Sequence, residues 1–518
     1  GGGRGRRGGG RGGGPGRPSR PPMDGRQFVH QIGTTGTPTA TSFTVAVQGC
    51  SHGELDSIYE AVLAYRERNL SRGGGNGGDI DVLLCCGDVQ TLRDPSDYHA
   101  LNVPAKYRTL GDFHAYYSGR KVAPILTVFV GGNHESSNYL QELHYGGWVA
   151  PNIYYLGAAG AVRLCKRTEG PGGNTSVSSL RVAGLSGIYN GRHYRLGRYE
   201  MPPYGRDELR SVYHTREVDV ARMKALGDGP TDVMISHDWP RGVHRHGDEA
   251  DLVRRKPFFG EEVGSNTLGS VANGELLGTL RPGHWFAAHL HVKFEAEVCH
   301  AAPREGASDG GGEEKADGGV DGAVDSLART TRFLSLDKCL PRRRHIQVVH
   351  VEPSSSRPVG HPGEMIRRGS WLEYDPSWLA VLRRTRHLTV RARGAVPAPD
   401  VGPATGGEVE EVTRRLGEAR ASDRDGDDED EDEDGSVGAP PPEMSPLAIP
   451  ENFVRTVPPF DASGGDPGRP TGPPRGMVGN PQTDALLGAL GLDHVVTVPF
   501  DRAGMRRRRE EEERQREE

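Results

Sequence analysis

From Phe43 to about His300 the chain alternates short β-rich apolar runs with helical patterns, and this alternation constrains the fold more than any other feature. The runs "FTVAV", "IDVLLCC", "PILTVFV", "RVAGLSGI" and "DVMIS" read as buried strands, each ending at Gly, Ser, Asn or Asp. After the first run, Leu55, Ile58, Tyr59, Val62 and Leu63 recur on one face of a helix. Strands alternating with helices predict an α/β fold around a largely buried sheet.

Outside that region the composition shifts. Residues 1–40 are a Gly/Arg-rich extension that cannot build a core. Its first part, "GGGRGRRGGGRGGGPGRPSRPP", is either a flexible tail or an RNA-contacting arm. The chain opens on Gly, and Met23 is read as an alternative start. Residues 41–300 form the main domain, and 301–330 are a Gly/Asp/Ala-rich insertion. Residues 331–395 are expected to resume with two strand-like runs around a Pro/Arg turn, then a helix capped by Asp375-Pro376. Residues 396–447 are acidic, Pro-rich and linker-like, 448–500 supply short elements that dock back, and 501–518 are a charged tail. With 34% hydrophobic residues, 75 glycines and 38 prolines, one main core with disordered flanks is expected.

The net charge of −6 is dominated by Asp423–Asp434, which holds ten acids and one arginine. The remainder is nearly neutral, so bulk charge gives no sign of nucleic-acid binding, which must be argued from local sites. The six cysteines show no C-x-x-C spacing and no small disulfide framework. With no signal peptide and no run able to span a bilayer, no membrane is expected, and a reducing compartment, cytosol or nucleus, is.

The strand ends carry the chemistry. Cys50-Ser-His52, Gly87-Asp88, Gly132-Asn133-His134-Glu135, Ser236-His237-Asp238 and His289-Leu-His291 all follow apolar runs. Functional groups in open α/β sheets gather at the carboxyl ends of strands. Convergence of these five would assemble imidazoles with carboxylate and amide oxygens, a donor set suited to divalent Zn, Fe or Mn. Asp88 can bridge two ions through its two oxygens. His289 and His291 would point to opposite faces of a flat strand, so joint ligation requires a bend. Singly, each piece also reads as a turn, a helix cap or a satisfied core histidine; five together by chance is a much poorer explanation.

In this order the elements resemble the signature of the calcineurin-like metallophosphoesterases, with Cys50 in place of the first Asp and Ala288 in place of the Gly before His289. The strings "GCSHGELDSIYE", "LLCCGDVQTLRD", "GGNHESSNYLQELHYGGWVAPNIYYLG", "LSGIYNGRHYRLGRYEMPPY", "SHDWPRGV", "WFAAHLHVKF" and "FLSLDKCLP" narrow the resemblance to the RNA lariat debranching branch. The resemblance implies an α/β/β/α sandwich with a C-terminal family-specific subdomain. It also implies two divalent transition-metal ions (Fe2+/Zn2+ or Mn2+). One would be held by His52, Asp88 and His291, the other by Asp88, Asn133, His237 and His289. Cys50 is either a ligand that favours Zn or Fe or a small buried thiol beside the site. His134 would be the general acid and Glu135 the residue orienting it.

The implied reaction is hydrolysis of the 2′–5′ phosphodiester at the branch of excised intron lariat RNA, by a metal-activated hydroxide, in the nucleus or also the cytoplasm. Splicing-related proteins are candidate partners. Recognising a branched nucleotide requires aromatic faces and cations. The loop Tyr189–Tyr204 interleaves them, making Tyr189, Arg192, His193, Tyr194, Arg195 and Tyr199 candidate RNA contacts, with Val103–Tyr117 a second candidate segment. Two other readings compete: a metallophosphoesterase with another substrate, and a non-catalytic RNA-binding or scaffold protein on a decayed enzyme fold. The full set of ligand residues argues against the second.

Overall fold

The computed structural model describes residues 32–71, 79–169, 173–227, 230–300, 329–398, 400–427, 443–460, 476–493 and 496. The Gly/Arg-rich N-terminal stretch to residue 31, nearly all of the 301–330 insertion, most of the acidic run and the charged tail lie outside the described residues.

Two sheets face each other. The first has seven strands in the order Gly33–Thr35, Ile346–Val351, Phe43–Gln48, Val82–Cys85, Thr127–Phe129, Ile153–Tyr155, Gly147–Ala150. The second has eight, its main path running Phe294–Cys299, Thr330–Ser335, His284–Ala287, Val233–Ser236, Thr175–Leu185, Ala159–Glu169, Ser370–Tyr374. Ser355–Pro358 pairs with Thr175–Leu185 beside that path. The central strands of both sheets are parallel, so their carboxyl ends lie along common edges.

The apolar runs show little alternation because both faces of each central strand are covered. Val45, Val47, Val82 and Leu84 pack between the sheets with Ile235 and Phe286. Ala46, Leu83 and Cys85, on the opposite face, pack under Leu55, Ile58, Tyr59 and Val62 of the helix Leu55–Leu70. On the far side Trp285, Met234 and Ala287 pack beneath Leu276 and Leu280 of the helix Val271–Leu280 and Val220 and Met223 of Glu217–Lys224. Each fully buried Val, Leu or Met contributes about 1.5–3 kcal/mol. The result is the expected α/β/β/α sandwich.

The C-terminal region is woven into both sheets. Thr330–Ser335 and Ser370–Tyr374 join the second and Ile346–Val351 the first. The helix Pro376–Arg384 is capped by Asp375, which accepts from the Trp378 amide (3.0 Å). The same buried carboxylate accepts from Arg163 (3.2 Å) and Arg181 (2.9 Å) of the second sheet.

The structure corrects the reading of 396–447 as linker: Gly406–Asp427 is a helix. Val409, Val412 and Leu416 make a narrow stripe at helical spacing that joins the core under Trp378, Leu379 and Leu382. Glu411 pairs with Arg414 (2.7 Å) and Arg415 (2.6 Å) on its exposed side. Beyond it, Pro481–Leu490 docks through Gln482, whose side chain bridges the amide and carbonyl of Trp148 (2.8 and 2.9 Å). Among the described residues no helix is long and apolar enough to cross a membrane.

Candidate metal centre

The five strand ends converge. Phe43–Gln48 leads to Cys50 and His52, Val82–Cys85 to Asp88, Thr127–Phe129 to Asn133 and His134, Val233–Ser236 to His237, and His284–Ala287 to His289 and His291. Each chain then turns sharply. His52, Asp88, His289 and His291 adopt left-handed φ values of 50°, 53°, 61° and 51°. For non-glycine residues this conformation is strained and clusters at functional sites. It also resolves the period-two difficulty, because His289 and His291 lie on a bent turn after the strand.

Two glycines admit the close approach. A Cβ on Gly87, itself at φ +109°, would run into the His237 imidazole, and one on Gly132 into the Asp88 carboxylate. The loops support each other: the His52 amide donates to the Asp88 carbonyl (2.6 Å), and the His134 amide to Asp88 Oδ1 (2.9 Å).

The two oxygens of Asp88 face different imidazoles. Oδ2 lies 3.7 Å from His52 Nε2 and Oδ1 3.5 Å from His237 Nε2. His52 Nε2 and His291 Nε2 are 3.2 Å apart. Donor atoms of Cys50, His52, Asp88 and His291 all lie within 4.8 Å of one another. On the other side, His237 Nε2 is 3.1 Å from Asn133 Oδ1, and the His237 and His289 rings lie 5.0 Å apart. His237 Nδ1 donates to the Cys86 carbonyl (2.7 Å), which turns the Nε2 lone pair toward Asp88 and Asn133.

Burial would raise the Asp88 carboxyl, but His237, His52 and His134 hold it well below the usual carboxylate range. Burial, the largest effect, lowers His52, takes His237 down to about 4, and with the neighbouring His52 takes His291 down to about 3. These imidazoles are therefore neutral at pH 7, the form that binds a metal. The donor set, protonation states and spacing fit divalent transition metals, with Asp88 placed to serve both halves of the site.

Cys50 is fully buried, and its Sγ accepts the His289 amide (3.2 Å). Burial, then the Asp88 charge, push its thiol well up. Its first visible task is to anchor the turn that carries His289 and His291.

The expected role of Glu135 requires correction. Its buried carboxylate accepts the amides of Val89 (2.8 Å), Gln90 (2.7 Å), Thr91 (3.4 Å) and Gly132 (3.2 Å). It therefore ties the Asp88 loop to the Gly132–Asn133 loop through the backbone rather than holding the His134 ring. Asn133 Nδ2 approaches His134 Nε2 (3.2 Å) instead.

The loop Tyr189–Tyr204 abuts the His237 half. The Tyr189 amide donates to Asp238 Oδ2 (3.3 Å), and the Tyr189 and Tyr194 rings lie 5.3 Å apart. Arg192 is exposed, and Arg195 is exposed with Glu217 at 3.5 Å. His193 and Tyr199 turn inward: His193 Nδ1 meets His214 Nδ1 (2.7 Å), and the Tyr199 hydroxyl lies 3.0 Å from Ser211 Oγ. Within Val103–Tyr117, the Asp112 amide donates to the Gly53 carbonyl (3.0 Å), seating that segment against the His52 turn. Asp238 and Lys338 also border the centre; the sequence places Asp238 at one of the polar strand ends without a ligand role and gives no sign of a role for Lys338. Both stand in the strings that carry the resemblance, "SHDWPRGV" and "FLSLDKCLP".

The sequence profile of the calcineurin-like phosphoesterases matches residues 43–293, and that of the lariat debranching enzyme C-terminal domain matches residues 328–495. A lariat debranching enzyme of Danio rerio is 40% identical over 451 residues, covering 87% of this chain and 66% of that protein. One of Homo sapiens is 46% identical over 344 residues, covering 66% and 54%. One of Drosophila pseudoobscura pseudoobscura is 39% identical over 466 residues, covering 87% and 77%. The chain thus spans from about half to about two thirds of the length of the vertebrate relatives. Both profiles fall on the described sandwich and its C-terminal strands, and the chain belongs to the lariat debranching enzyme family within the calcineurin-like phosphoesterases.

Proposed function

We propose that this chain hydrolyses the 2′–5′ phosphodiester at the branch point of lariat RNA, releasing a linear intron. The observation that supports this most directly is the convergence of His52, Asp88, Asn133, His237, His289 and His291 around His134 at one end of the sandwich. His52, Asp88 and His291 would hold one divalent ion, with Cys50 adjacent, and Asp88, Asn133, His237 and His289 the other. Iron, zinc or manganese suits these donors. When bound, such ions supply an acidified water and positive charge for the phosphoryl oxygens.

The chain's own groups do the rest. With Asn133 Oδ1 turned to His237, its Nδ2 lies 3.2 Å from His134 Nε2. That leaves His134 Nδ1 as a buried ring nitrogen without a partner among the described residues. An unsatisfied buried donor costs about 1–3 kcal/mol, and a substrate oxygen would relieve it. His134 Nδ1 is accordingly the atom assigned to protonate the departing 2′ oxygen, the ring passing from imidazolium to neutral imidazole as it does so. Tyr189, Tyr194, Arg192 and Arg195 would receive a branch base and its flanking phosphates, with His193 and Tyr199 bracing the loop. We place the reaction in the nucleus, near splicing-related proteins, because introns are released there.

The test pairs elemental analysis of protein purified without added metal with cleavage of matched branched 2′–5′ and linear 3′–5′ RNAs. Turnover of the branched RNA alone, with two transition-metal ions per chain, is expected. Equal cleavage of both RNAs would overturn the lariat assignment and leave a general phosphodiesterase.

A further inference from the structure

On the side of the site away from the Tyr189–Tyr204 loop, two stretches of chain bring cations together. The first runs through the helix Glu249–Arg255 into the turn Pro257–Phe259; the second is the turn 337–345 between the strands Thr330–Ser335 and Ile346–Val351. The second starts at the metal centre. Lys338 forms an isolated bridge with Cys50, and the Cys339 amide donates to the Cys50 carbonyl (2.9 Å). Moving outward, Arg255, Lys293 and Arg344 line one cleft of about 510 Å³ together with the acids Asp248, Asp251 and Glu295, of which Asp248 caps the helix by accepting the Asp251 amide (2.8 Å). Lys256 lies within electrostatic reach of Asp337 and of the cations Arg343, Lys338 and Arg255.

The local acids are largely committed. Asp251 pairs with Arg254 and Arg255, Asp337 with Arg343 (3.2 Å) and Glu295 with Lys293 (3.1 Å). Lys256, Lys338 and Arg344 have no ion pair among the described residues. An aromatic ring stands in the same patch. Phe258 is 70% exposed, an unusual placement for a Phe, with Lys256 Nζ 5.8 Å from its ring centre. Phe259 packs into the core and fixes the turn.

Uncommitted cations strung from a phosphodiesterase centre, with a bare aromatic face among them, are the elements of a single-strand nucleic-acid platform. We propose that Phe258, Lys256, Lys338 and Arg344 form a second RNA track that holds the single-stranded arm leaving the branch on the His52–His291 side, Phe258 stacking a base and the cations contacting phosphates. This rests on the branched-RNA reading and adds a division of labour. The Tyr189–Tyr204 loop would take the branch on the His237 side, and this track one arm.

The test uses the full chain with two probes. The first is a labelled oligouridylate, titrated by fluorescence anisotropy at several salt concentrations. Phe258→Ala should weaken its binding about tenfold and leave the salt slope unchanged. Lys256→Gln combined with Arg344→Gln should weaken binding and flatten the slope by about 0.7 for each phosphate no longer neutralised. The second is a pair of branched RNAs differing only by a single-stranded extension. Wild type should favour the extended one through a lower KM, and both variants should reduce that preference toward one.

If wild type cleaves branched RNA but ignores the extension, the track is overturned while the reaction stands. If wild type cleaves no branched RNA yet shows the Phe258-dependent oligouridylate binding, the reaction fails and the track stands. An acidic peptide that displaces oligouridylate equally well from wild type and Phe258→Ala would show a surface that senses charge alone, and would overturn the proposal.

Discussion

Gly132→Ala is the sharpest test of how the centre is built. Gly132 does not have a positive φ, so the added methyl meets steric obstruction alone. An ideal Cβ would overlap Asp88 Oδ1, sit 2.6 Å from the Asp88 amide nitrogen and 2.8 Å from His237 Cε1. Relieving all three contacts requires the Asp88 carboxylate and its loop to retreat by on the order of 1 Å, several times the roughly 0.2 Å tolerance of a metal–ligand distance. Overpacking of this kind costs about 1–3 kcal/mol, which a sandwich of this size should survive. Displacing a reacting group by 1 Å costs about a hundredfold in rate. The expected result is a folded protein, slightly less stable to urea, with reduced metal content and branched-RNA turnover down about a hundredfold or more. Gly278→Ala is the control. It lies in the helix Val271–Leu280, where a Cβ meets nothing within 4 Å, so it should gain about 0.4–1 kcal/mol and keep full activity. A Gly132→Ala protein with full metal content and turnover within a few-fold of wild type would refute the reasoning.

Cys50→Ser keeps an acceptor for the His289 amide and is expected to retain stability and metal content. Cys50→Ala leaves that amide unpaired and should cost about 1–3 kcal/mol in urea denaturation; loss of one ion from Cys50→Ser would instead make Sγ a direct ligand. Glu135→Gln preserves shape but turns an NH2 toward backbone amides, so both a loss of about 1–3 kcal/mol and a tenfold or greater fall in kcat are expected, with little change in KM. Burial, then Arg198, take His144 down to about 3, and burial takes His345 down to about 4, both below the ordinary 6.5. The unfolded chain therefore takes up protons first as pH falls, so the contribution of these groups is whole above about pH 7 and is lost from about 6.5 down to about 4 for His345 and about 3 for His144. Between pH 7 and 5 the loss is up to roughly 2 kcal/mol per histidine, and His144→Gln should flatten the pH dependence of the urea midpoint by that amount.

The strands were legible because burial on both faces writes unbroken apolar runs, and their polar ends stood out against them. Order along the sheets was less so. Nothing in "TRFLSL" or "HIQVVHV" says that the first pairs in parallel with His284–Ala287 while the second pairs antiparallel with Phe43–Gln48. The helix Gly406–Asp427 was hidden for a different reason. Its apolar stripe is only Val409, Val412 and Leu416, too sparse to outweigh its charged surroundings until Trp378 and Leu382 offer a surface for it. The role of Glu135 is hidden from sequence because its partners are backbone amides on two distant loops, and backbone donors leave no mark on a sequence.

The same limit applies at the heart of the site. Residue types pointed to the candidate ligands, but their arrangement rests on left-handed turns at His52, Asp88, His289 and His291, which no residue type there advertises. Each such turn costs on the order of 1 kcal/mol or more, and isolated loops would relax out of it. The turns at His52, Asp88 and His289 persist because another loop of the set holds each of them. The Asp88 carbonyl takes the His52 amide, Cys50 Sγ takes the His289 amide, and Glu135 takes the amides that follow Asp88. The strain is thus distributed over strand ends far apart in the chain, and those ends meet only when the sandwich is complete. A centre built this way forms with the fold or not at all. It follows that changes at the residues bracing it, Glu135 and Gly132 above all, should impair the proposed reaction although neither would touch the metals.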